Sequence, residues 1–183
     1  HNESSAVYSS LKNMYELNGY LTEQVNYTTE AGVISDSTGV VVIAAPATDY
    51  PTHEITRLRK WLLNDGQRGR HLMVLCNPAA VGKCNNLYEF LKEDYGIEVT
   101  DQLIVETDKN NVPAESGEYY PISQINLTEL TVDVSEGKVL MPLTLQLKLH
   151  YDTDLNKNAL TNHPLISFED TVRLVDAQAV ADQ

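Results

Sequence analysis

Residues 39–78, GVVVIAAPATDYPTHEITRLRKWLLNDGQRGRHLMVLCNP, read as strand, loop, helix, loop and strand, and the rest of the chain is organised around them. Val40, Val41, Val42 and Ile43 form a β-branched run continued by Ala44 and Ala45. Such a run suits a strand buried on both faces of a parallel sheet. Pro46 lacks the N–H a ladder needs, so the strand is expected to stop there. Thr52 is the expected N-cap of the helix that follows. Ile55, Leu58, Trp61 and Leu62 recur at three- and four-residue spacing and make one apolar face, with Arg57, Arg59 and Lys60 off it. Gly66 supplies the left-handed C-terminal conformation. Leu72, Met73, Val74 and Leu75 make a second buried strand, which such a crossover places parallel to the first.

The flanks extend the alternation. Ser4 or Ser5 can cap a first helix whose stripe is Val7, Leu11, Met14 and Tyr15, and Asn18-Gly19 ends it. Residues 24–29 alternate as a strand around Val25 and Tyr27. Asn85 or Asn86 caps a further helix with Leu87, Phe90, Leu91 and Tyr95 on one face, and Leu103, Ile104 and Val105 form another short strand. The expectation is a three-layer α/β core over 1–108, a Rossmann- or flavodoxin-like parallel sheet of the glutamine-amidotransferase-like kind. The first helix has no strand before it, so the parent protein is expected to supply one upstream of His1.

The pattern changes in 109–183. Residues 109–121 are polar, with two prolines and a glycine, and read as a linker. Leu130, Val132 and Val134 alternate with polar residues. So do Leu143, Leu145, Leu147, Leu149 and Tyr151, the strongest period-two signal in the chain. A β-hairpin over 129–151 is therefore expected beside the core. Residues 168–180 fit a last strand or a short helix.

Charge narrows the partners. The net charge is −13, from 26 acids against 13 bases, which repels phosphate backbones and anionic lipid alike. Nucleic acid is accordingly not an expected partner. No apolar run reaches the ~20 residues of a membrane span. Cys76 and Cys84 stand at a strand end and before a helix; they read either as a possible disulfide closing a short loop or as two ordinary thiols. Sequons at Asn2, Asn26 and Asn126 are weak patterns.

Chemistry-bearing motifs are few. Cys76 ends a strand as an amidotransferase-like nucleophile does, but Asn77-Pro78 replace the tight glycine elbow, and His53, His71 and His163 show no partner spacing. The loop after Ile43 has no glycine to cradle a phosphate, and no cofactor motif occurs. Asp152–Asn158 resembles half a calcium loop, with Lys157 where glycine is wanted and His163 where glutamate is wanted. His53-Glu54 has Arg57 where a second zinc histidine would stand. In open α/β sheets ligands gather at the C-terminal ends of the parallel strands. That rule makes loops 46–53 and 77–86, with Asp49, His53, Asn77 and Lys83, the expected ligand- or partner-binding face.

Several segments carry a family resemblance. His1-Asn2-Glu3 lies before a short helix that ends in Asn18-Gly19-Tyr20. Val40 to Pro46 is a strand ending in proline, and Glu54 stands early in the next helix. Gly66 and Gly69 precede a strand that ends in Asn77-Pro78. Leu87, Leu91 and Tyr95-Gly96-Ile97 follow, and Asn162-His163-Pro164-Leu165-Ile166 recurs late. This order resembles the extracytoplasmic domain of the GldG-type (gliding-motility-type) ABC-transporter auxiliary proteins, over about 1–106 and loosely over 162–180. The split glycine pair and the absent first strand depart from the pattern. The resemblance implies a non-enzymatic binding or assembly domain outside the cytoplasm of a bacterial cell. Membrane helices of the parent protein would anchor it, and it would work beside an ABC permease and ATPase. The alternatives are a divergent amidotransferase-like hydrolase using Cys76 and a solute-binding domain for a sugar or peptide.

Overall fold

The computed structural model describes the chain except residues 2, 4, 30, 31, 68, 135, 152–160, 182 and 183. Two compact units divide it, His1–Phe90 and Leu91–Gln183.

The first unit holds helix α1 (Ser5–Leu17), strand β1 (Val40–Ala44), helix α2 (Thr52–Leu63), strand β2 (His71–Leu75) and the start of helix α3 (Asn85–Tyr95). Strands β1 and β2 pair in parallel, from Val40 opposite His71 to Ala44 opposite Leu75. The strand–helix–strand unit expected from 39–78 is therefore present. Helix α2 buries Ile55, Leu58 and Trp61 together with Glu54. Ile43, Ala44, Tyr50, Cys84, Leu87 and Phe90 of the same unit are also buried. Helix α1 buries no residue. It ends in a Schellman turn: Gly19 N–H donates to Glu16 O and Tyr20 N–H to Tyr15 O, with Gly19 at φ +85°.

Three local expectations change here. Pro51, not Thr52, occupies the N-cap of α2 and offers no side-chain bond. At the other end Asn64 already takes the left-handed C-cap conformation, and Asp65 and Gly66 follow with positive φ. Residues 24–29 form no strand. Arg57 donates to the backbone carbonyl of Tyr27 at 2.6 Å and stacks over its ring at 4.3 Å. Tyr27 Oη in turn donates to Glu54 O. The segment is held onto α2 through the carbonyl a ladder would have used.

The second unit is antiparallel. Strand β3 (Ile97–Glu106) lies between β6 (Leu145–Leu149) and β8 (Val172–Asp176). Strand β4 (Ile122–Ile125) lies between β5 (Lys138–Leu140) and β7 (Ile166–Ser167). Leu103, Ile104, Val105, Leu145 and Ala177 are buried. Helix α4 (Ala177–Ala181) follows β8, so 168–180 supplies both a strand and a helix.

The expected three-layer Rossmann- or flavodoxin-like parallel sheet does not form. Among the described residues parallel pairing is confined to β1 and β2, and β3 pairs antiparallel on both sides. Apolar strand runs fit either polarity, and the pairing partner decides. The expected 129–151 hairpin is also replaced. Residues 145–149 are a strand, but their partner is β3, and 138–140 pair with β4. Between those strands the chain turns away, with Met141 N–H on Pro121 O, Leu143 N–H on Tyr119 O and Leu143 at φ +49°. The half calcium loop at 152–158 lies outside the described residues.

Candidate functional site

The C-terminal ends of β1 and β2 open onto loops 45–51 and 76–84, where the sequence places the binding face. Asp49 acts here as the cap of α3. Its Oδ2 accepts the Asn86 N–H at 2.8 Å and its Oδ1 the Leu87 N–H at 3.2 Å. Asn86 Nδ2 answers by donating to Tyr50 O at 2.9 Å. The carboxylate thus satisfies two otherwise orphaned helix donors at the positive end of the helix dipole. Asn77 does similar work: its Oδ1 accepts Ala79 N–H at 3.1 Å and its Nδ2 donates to Pro46 O at 3.3 Å. Cys84 Sγ donates to the same carbonyl. Asp49, Asn77 and Cys84 therefore stitch the two loops together. Lys83 Nζ donates to Ala79 O at 3.1 Å within its own loop. His53 is largely exposed, with Nε2 3.9 Å from Glu54 Oε1.

Beneath this face sits a buried polar cluster that sequence reasoning did not assign to the site. The His1 carbonyl accepts N–H groups from Ala47 and Thr48, which bring its side chain over the loop. The imidazole stacks on Tyr50 with ring centroids 3.7 Å apart. Its Nε2 faces Glu54 Oε2 at 2.5 Å, and both side chains are almost wholly buried. Neither atom makes a directed hydrogen bond, so the pair is a close polar contact with poor bond geometry. Tyr50 Oη donates to Glu3 Oε1 at 2.8 Å.

The environment moves the acids in opposite directions. Burial pushes the Glu54 carboxyl above its ordinary range, against His53 and Arg57, which pull it down. Burial acts on Glu3 in the same sense, but hydrogen bonds from the Tyr50 hydroxyl and a backbone N–H act against it, and Glu3 is held low. Burial, reinforced by Glu3, drives the Tyr50 phenol up, so Tyr50 stays a hydrogen-bond donor. The signals for this cluster were the His1-x-Glu3 pair and the early Glu54, which were legible only as family markers. Tyr50, between two prolines' reach in a polar loop, gave none.

Cys76 and Cys84 are free thiols, Cys84 buried and Cys76 half-buried. Burial raises both, Cys76 to about 11, although the nearby Tyr88 hydroxyl acts the other way on Cys76. Among the described residues no group of three His, Cys, Asp or Glu side chains could hold a metal ion. No helix among them is long and apolar enough to cross a membrane. Chemically, Asp49, Asn77 and Cys84 bond to backbone groups of the face, His53 stays exposed, and one buried carboxylate–imidazole contact lies below. No family model, curated protein or solved structure matches the chain.

Proposed function

We propose that this chain is a non-enzymatic, extracytoplasmic binding or assembly domain of an ABC transport system. One observation carries the non-enzymatic part. Three of the polar groups at the strand ends are already spent: Asp49 on two α3 amides, Asn77 on Ala79 and Pro46, Cys84 on Pro46. A general base or nucleophile must be able to reach a reacting atom, and these groups hold backbone instead. Such an arrangement suits a rigid surface for recognition. The transport setting and the permease and ATPase partners rest on the order of segments from His1-Asn2-Glu3 to His163-Pro164.

The test is affinity purification of the full-length parent protein from solubilised membranes, with bound proteins identified by mass spectrometry. Recovery of an ABC permease and ATPase is the expected result. Repeated recovery of the parent protein without either subunit overturns the reading.

A further inference from the structure

Residues 127–134, Leu-Thr-Glu-Leu-Thr-Val-Asp-Val, present their side chains in the reverse of the usual order. Leu127 is 73% exposed, Leu130 80% and Val134 55%, whereas Thr131 is 7% exposed. The threonine faces in and the aliphatic residues face out. Locally consistent sequences do the opposite, and departures concentrate at functional surfaces.

The inversion is built in by hydrogen bonds. Thr131 Oγ1 donates to Asn126 O and accepts from Thr128 N–H. Leu130 N–H donates to Thr128 Oγ1 at 3.2 Å, Val134 N–H to Thr131 O at 3.0 Å and Gly137 N–H to Val134 O at 2.9 Å. The root is tied down as well. Asn126 Nδ2 donates to Pro164 O at 2.8 Å, and its Oδ1 accepts from Ser167 Oγ at 2.7 Å. Leu127, Leu130 and Val134 are thus held outward by a bonded series of turns, which limits the ordering cost a partner would otherwise meet.

Charge selects the partner. Glu129, Asp133 and Glu136 are interleaved with the aliphatic residues, and no Lys or Arg occurs between 127 and 137. An open concavity of about 570 Å³ includes Val134 in its wall, lined also by Ile125, Val132, Asp133, Glu136 and Gly137. We propose that this face docks a peptide segment of a partner protein that alternates aliphatic with Lys or Arg side chains. The aliphatic groups would cover Leu127, Leu130 and Val134, and the cations would meet the three carboxylates. A second copy of the chain would bring three more carboxylates against these, and an anionic bilayer is repelled in the same way. The proposal does not depend on the transport reading.

The experiment measures binding of two synthetic peptides, one alternating Leu with Lys and one alternating Leu with Glu, to the 183-residue chain by calorimetry. The Leu/Lys peptide is expected to bind at least roughly tenfold tighter, with affinity falling as salt rises. The double variant Leu127→Ser/Leu130→Ser keeps every charge and is expected to lose roughly tenfold or more. Hydrogen exchange should slow at 126–137 in the complex. Undiminished binding by that variant, with an unchanged circular-dichroism spectrum, overturns the proposal, because the cation would then be attracted to acidic surface in general. A concentration-dependent dimer abolished by the same substitutions also overturns it, by assigning the face to self-association. Should the serine variant fail to fold, Glu129→Lys/Asp133→Lys carries the test, and unchanged preference for the Leu/Lys peptide refutes the docking.

Discussion

Replacing Asp49 by alanine separates a structural from a ligand-binding role at the strand ends. The carboxylate accepts two N–H groups of α3, at 2.8 and 3.2 Å, and the first turn of that helix has no acid of its own. Losing an N-cap acceptor costs about 0.5–2 kcal/mol. Losing the anion at the dipole's positive end adds about 0.3–1 kcal/mol. With two donors stranded, Asp49→Ala is expected to cost about 2 kcal/mol. Asp49→Asn keeps an acceptor and gives up the charge, so about 0.5–1 kcal/mol is expected. Urea unfolding followed by the fluorescence of Trp61, the single tryptophan and a buried residue of the same unit, reads the effect directly. At a slope of about 2 kcal/mol/M the midpoint should fall by about 1 M for alanine and by about a quarter to a half of that for asparagine. An alanine variant whose midpoint stays within about 0.2 M of the parent refutes the capping argument at the precision of such curves. If that variant also lost affinity for a solute the parent binds, Asp49 would be a ligand residue.

Three further outcomes follow from the same geometry. Gly96 sits at φ +67°, and a Cβ there would meet the Tyr151 ring at 2.6 Å, so Gly96→Ala should destabilise by about 2–4 kcal/mol in chemical denaturation. Glu54 is held above its ordinary 4.5, so the folded state binds more protons than the unfolded one and stability is lost as pH rises from about 4.5 through the folded value. Glu54→Gln should remove that slope, and the difference from the parent should shift in the variant's favour as pH is raised; parallel curves would contradict it. Cys76, raised to about 11, should react with iodoacetamide at pH 7.5 on the order of 100-fold more slowly than in urea-unfolded protein. Equal rates would restore a reactive Cys76.

Much of the first unit was legible because its signals are local. The β1 run, the α2 stripe and the Gly19 stop depend on neighbours within a few residues; the last two stand where the pattern put them, while β1 ends at Ala44, one residue short, with Val40 exposed. Helix start and stop chemistry was less secure. Pro51 displaced Thr52 at the cap, and Asn64 reached the left-handed region before Gly66. At the candidate site the capping roles of Asp49 and Asn77 were not legible, because the α3 amides and the Pro46 carbonyl they satisfy come from distant segments.

The sequence by itself determined the first three helices, the parallel β1–α2–β2 unit and an acidic composition hostile to polyanions. Periodicity and charge are properties of the chain, and they survive any choice of partners. Tertiary structure alone decided what each strand pairs with. An apolar run such as Leu103–Ile104–Val105 satisfies a parallel or an antiparallel neighbour equally, and β6 and β8 settled it as antiparallel. It also decided which phase of an alternation faces inward. At 127–134 the bonds of Thr131 to Asn126 and Thr128 overrode hydrophobicity, and they turned an expected strand into an outward-facing apolar surface.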